Sequence, residues 1–195
     1  MTPTTKLEAV NIMLSTIGES PVNSLSSGLV DAELAETILD STSKAVQSEG
    51  WNFNRDDAFT VAPNLSGEIV IPLNVLRADA TLKSDSKDLV QRGTKMYDKK
   101  EHTFIINESV ELDLIVELAF TDLPEIARRY VALRAARVFQ ERVVGSDFIS
   151  DINRVDERFA YYQLQEFETD TEDHNIFNNN DVYRVINRVG STRLT

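Results

Sequence analysis

The sequence contains two histidines, His102 and His174, each beside an acid, Glu101 and Asp173. A metal centre needs several convergent ligands. Neither H-E-x-x-H nor H-x-x-E-H spacing occurs, so no metal site is expected. Neighbouring carboxylates stand at Asp56-Asp57, at Glu172-Asp173 and at Asp170 with Glu172. Such pairs do acid–base work only where burial or mutual repulsion separates their pKa values, and exposed acids in polar context seldom meet that condition. No serine occupies a G-x-S-x-G elbow and no glycine-rich phosphate loop is present, so Ser66-Gly67 and Arg92-Gly93 read as turns. The absence of cysteine removes thiolate nucleophiles, thiolate zinc sites and disulfides. The expectation is a chain with no catalytic residue, no cofactor and no metal.

What remains is recognition by charge. Residues 121 to 145 carry five arginines, Arg128, Arg129, Arg134, Arg137 and Arg142, against three acids. This run either faces DNA as a weak positive stripe or pairs with acids. Pairing is favoured, because the first 50 residues hold seven acids and only two bases and must pack somewhere. Acids outnumber bases 32 to 20 over 195 residues, a formal net charge of -12, which sets a general nucleic-acid binder at a disadvantage. The N-terminus lacks a basic region followed by an apolar core, so no signal peptide is expected. The strongest apolar stretch, Leu112 to Phe120, is interrupted by Asp113 and Glu117 and is too short to span a bilayer.

These residues must be positioned by a mixture of helices and strands. Thr5 and Glu8 have the spacing of a capping box, followed by Leu7, Val10, Leu14 and Ile17 on one helical face until Gly18. A second helix is expected from about Val30 to Ser48, with Leu34, Ile38, Thr42, Ala45 and Val46 as its less polar stripe. Trp51 and Phe53 fall where the period changes, and a large aromatic at such a junction seals two layers. Strands are expected at residues 58–61, at 68–73 with Pro72 at an edge, bulge or strand end, and at 110–120, where alternation would bury one face and wet most of the other, the face of Glu111, Asp113, Ile115, Glu117 and Ala119. Asp122 should cap a third helix, with Glu125 closing the box. Beyond Gly145, Phe148, Ile152, Val155, Phe159 and Tyr162 recur in steps resembling a heptad seam.

The expected fold class is α+β: a helical bundle of about four main helices with an inserted small, mainly antiparallel β-sheet and an extended C-terminal arm. Residues 1–167 should form one domain, with helices in 5–49 and 122–167 around a β-rich insertion at 51–120. Residues 168 to 181 hold five acids and no base and read as a linker; residues 182 to 195 hold Arg184, Arg188 and Arg193 and no acid. That basic tail cannot build a core of its own and suits an arm docking on its own domain or on a neighbour.

Several stretches in order carry a resemblance: Gly50-Trp51-Asn52-Phe53-Asn54, residues 90–98 (Val90 to Asp98), His102-Thr103-Phe104, residues 122–130 (Asp122 to Tyr130) and residues 135–139 (Ala135 to Phe139). Over essentially its whole length the chain resembles the tail tubular A proteins, the adaptor or gatekeeper family of T7-like short-tailed bacteriophages. The resemblance implies a homo-oligomeric ring of twelve in the virion tail, between the capsid portal protein and a nozzle of tail tubular B type. Double-stranded DNA would pass through its channel without sequence-specific binding, and the protein would be made in the bacterial host cytoplasm. Net negative charge suits such a channel if acids line it. On that reading Arg128, Arg134, Arg137 and Arg142 serve subunit or portal contacts, Arg184 and Arg188 lie in the arm, and Lys99-Lys100 faces the nozzle. Two alternatives stay open: a virion-associated glycan-degrading hydrolase, for which no acid pair is singled out, and a DNA-binding module.

Overall fold

The structure is a computed structural model that describes residues 2–81 and 87–171. Thr5 opens α1 (Lys6–Thr16) with the expected reciprocal box: its hydroxyl accepts from the Glu8 amide, and the Glu8 carboxylate accepts from the Thr5 amide. Helix α2 is Val30–Gln47, α3 is Glu125–Val143 and α4 is Asp147–Thr171. Between them lie β1 (Arg55–Val61), β2 (Val75–Ala80), β3 (Leu89–Arg92), β4 (Lys95–Asp98) and β5 (Val110–Val116). The strands form an antiparallel three-stranded sheet ordered β1-β5-β2 and a separate β3-β4 hairpin. This is the α+β arrangement the periodicities require. The extended arm expected at residues 182–195 lies outside the described residues.

There are two cores. Ala9, Val10, Met13 and Leu14 of α1 meet Ala35 and Leu39 of α2, Ala127, Val131, Ala135 and Phe139 of α3, and Ala160 and Leu164 of α4. The alanines let the helices approach closely, so α3 contacts all three others. Burying each larger aliphatic here contributes about 1.5–3 kcal/mol relative to exposure. The second core is β-built: Ile69, Ile71, Met96, Leu112 and Leu114.

Several expectations are corrected. In the α2 stripe Ile38, Thr42 and Val46 are buried as expected, but Leu34 and Ala45 are exposed, and Ala32, Ala35, Leu39 and Ser43 are buried in addition. α1 and α3 approach from that side and cover the small residues. Residues 68–73 form no strand. They make single antiparallel bridges, Glu68 to Ile105 and Val70 to Lys95, and bury Ile69 and Ile71 without a continuous ladder. β5 ends at Val116, and Phe120 lies in a 3₁₀ turn (Phe120–Asp122) whose side chain enters the helical core. On the face that alternation leaves mostly wetted, Ile115 is buried, with the end of the α2 segment against it. Asp122 does not cap α3. Pro124 occupies the N-cap, and the Glu125 carboxylate instead accepts the Thr4 amide and hydroxyl, both at 2.6 Å, tying the N-terminal segment to α3. The linker expected from Glu168 does not begin there, and the rest of it lies outside the described residues. Residues 168–171 complete α4, with the Thr169 and Thr171 hydroxyls donating to the Gln165 and Phe167 carbonyls.

Candidate assembly surfaces

The junction between helices and sheet sets the geometry of everything outside it. Gly50 ends the α2 segment at φ 82°, and a Cβ there would stand 2.5 Å from Cδ1 of Ile115, so glycine meets both a conformational and a steric demand. Trp51 donates its indole N–H to the Val46 carbonyl at 2.8 Å. Its ring lies parallel to Phe53 and edge-on to Tyr161, the layer-sealing role its position implied.

Two buried amides hold this junction. Gln47 donates to the Leu118 carbonyl at 3.1 Å and accepts the Leu118 amide at 2.7 Å. Asn54 donates to the carbonyls of Gln47 and Val116. Side chains thereby replace ladder bonds, which is why β5 stops where it does. Asn54 entered the sequence reading only within the Gly50–Asn54 stretch, without this role, and Gln47 did not enter it; the Asn52-Phe53-Asn54 turn after a glycine was the available signal.

The arginine run divides by role. The Arg128 guanidinium donates to three backbone carbonyls, those of Leu123, Thr4 and Thr121, and so staples the entry of α3 to the N-terminal segment. Arg137 is held by Glu157 of α4 and Glu141 of its own helix. The Glu157 hydrogen bond, aided by Glu141, raises the Arg137 pKa above its ordinary value against the opposing effect of burial. Arg134 stands 3.5 Å from Glu49 and donates to the Tyr130 hydroxyl. Pairing with acids therefore prevails over a continuous DNA-facing stripe for Arg134 and Arg137. The acids come mainly from α3 and α4, with Glu49 alone from the N-terminal segment. Arg142, in the last turn of α3, is exposed.

Glu49, Tyr130, Arg134, Arg137, Arg154, Glu157, Arg158 and Tyr161 line an open cleft of about 380 Å³. Both of its carboxylates are in ion pairs with Arg134. The carboxylates with a clear shift, Glu8, Glu68 and Glu141, are all lowered. Among the described residues no cluster of three or more metal-ligating side chains occurs. His102 sits in an exposed turn at φ 53°, and His174 and Glu172-Asp173 lie outside the described residues.

Lys99 and Lys100 are exposed at the end of the hairpin. Buried Asp98 shapes this turn by accepting the Lys100 and Glu101 amides, and Lys99 pairs with Asp88 at 2.9 Å. Arg184 and Arg188 lie outside the described residues. The feature that sequence periodicity located best is on α4. Its seam is left exposed among the described residues: Phe148 is 76% exposed, Ile152 51%, Val155 66%, Phe159 60% and Tyr162 59%. Isolated exposed apolar residues are ordinary, but five in register on four turns mark an interaction face.

No described helix is long and apolar enough to cross a membrane. A family model described as tail tubular protein matches residues 7–174. The chain is also 32% identical over 162 residues to tail tubular protein A of Klebsiella phage KP34, covering 83% of this chain and 86% of that protein. With a match extending from α1 through the end of α4, the chain belongs to the tail tubular protein family.

Proposed function

We propose that this chain is the structural adaptor of a short-tailed phage: a ring of twelve copies joining the capsid portal to the tail nozzle and forming part of the DNA ejection channel. Family membership supports the coarser statement, a structural role in a phage tail. The number twelve and the two flanking partners rest on the resemblance to tail tubular A proteins. The observation that carries assembly is the α4 seam, an apolar stripe that needs a second chain to cover it. A cleft whose acids are already paired to Arg134 supports a protein that acts by holding partners rather than by chemistry.

In this reading Arg142, Lys99 and Lys100 are the exposed cations that meet subunits, portal or nozzle. Arg128, Arg134 and Arg137 serve the same contacts by fixing the surfaces that present them. The net charge of -12 keeps duplex DNA from adhering wherever acids face the channel. The protein is made in the host cytoplasm and resides in the virion tail. Mixing it with purified portal from its own phage and imaging the product by electron microscopy tests this. A twelve-fold ring stacked on the portal is expected; absence of binding, or a ring of another number, overturns it.

A further inference from the structure

The α4 seam asks for an occupant of particular chemistry. Its opposite side is closed against the helical core through Ala160 and Leu164. Along the seam Asp147, Asp151 and Asp156 are exposed against Arg154 and Arg158, and Glu166 and Asp170 add exposed acid toward the C-terminal end of α4, so a partner should bring apolar side chains at helical spacing together with positive charge. The exposed apolar residues of α2, Val30 and Leu34, stand beside Asp31 and Glu33 and would set acid against acid. A second α4 would do the same. One segment of this chain has the required chemistry. Val182, Val185, Ile186 and Val189 recur at i, i+3, i+4 and i+7, interleaved with Arg184 and Arg188, with Arg193 following and no acid present.

We propose that residues 182–195 of one copy dock on the α4 seam, Phe148 to Tyr162, of the neighbouring copy. The ten residues 172–181 connect the arm to the end of α4 at Thr171 and, extended, reach about 33 Å. Return to the chain's own helix would run Glu172 and Asp173 back along Glu166, Glu168 and Asp170, like charge against like. Reaching outward avoids this. Arm and seam are different surfaces, so the contact is head-to-tail, the kind that closes into a ring or runs on as a filament. The proposal rests on the adaptor-ring reading and names the joint between its subunits.

The absence of native cysteine makes a clean test in the full chain. Val155→Cys is combined in turn with Val182→Cys, Ile186→Cys or Val189→Cys, so that one register meets disulfide geometry. Rings are first confirmed on the portal by imaging, then oxidised and run under denaturing, non-reducing conditions. A ladder of cross-linked multimers is expected from at least one pair. Rings present with only a fast-migrating internally bridged monomer, or with no bridge from any pair, overturn the arm while leaving the ring intact. Rings absent even for the unsubstituted chain overturn both. In parallel, Ile186→Asp should lower ring formation about tenfold. Unchanged ring formation would contradict the assignment.

Discussion

At the residue scale, the arginine cluster between α3 and α4 is where charge contributes most to stability. Arg137 and Glu157 are both mostly buried, so removing the cation leaves a carboxylate poorly solvated. Arg137→Ala should cost about 1–3 kcal/mol, less than a fully buried pair because solvent still reaches both groups, as read by urea denaturation. Glu141 supplies a pH dependence. Hydrogen bonding from Ser150, and then from Arg137, lowers its pKa from the ordinary 4.5. A carboxylate lowered in the folded state stabilises above its unfolded pKa, and that contribution disappears as pH falls through the folded value. The melting temperature should therefore drop as pH goes below about 4.5, and Glu141→Gln should make that acid limb shallower. A limb unchanged by the substitution would show that other carboxylates set it. The Trp51 role was readable from its place between two periodicities. The partners of Arg137 were not, because nothing in a sequence aligns residue 137 with residue 157.

At the element scale, the junction of α2 with β5 depends on two amides. Gln47→Leu keeps size but orphans the amide and carbonyl of Leu118 in partly buried surroundings. The expected loss is about 1–3 kcal/mol for each group left unsatisfied. Hydrogen exchange of the Leu118 amide should rise more than that of amides in the α1–α3 contact, which localises the effect. Helix and strand types followed from period, caps and glycines. The faces did not always follow, since α2 buries Ala32 and Ala35 beside Ile38, Leu39 and Val46 while the larger Leu34 faces solvent. Which stripe is buried depends on how near the adjacent helices come, and alanines in α3 let them come close.

At the scale of the whole molecule, the fold closes around two cores and still leaves α4 apolar on its outer side. Val155→Asp lies on that outer side and should change unfolding free energy by no more than about 0.5 kcal/mol. The same substitution should abolish rings on the portal, seen by electron microscopy, and the contrast between the two measurements separates an assembly face from a folding face. The sequence alone determined the α+β class, the four helices, the sheet between them, the α1 capping box and the five-residue seam, because each is a local pattern of period or cap. Tertiary structure decided which arginines are committed inside the chain, why β5 ends at Val116 and that the seam lies outward. Those outcomes depend on which distant groups satisfy each other's hydrogen bonds and charges, and such pairings are set by packing in three dimensions.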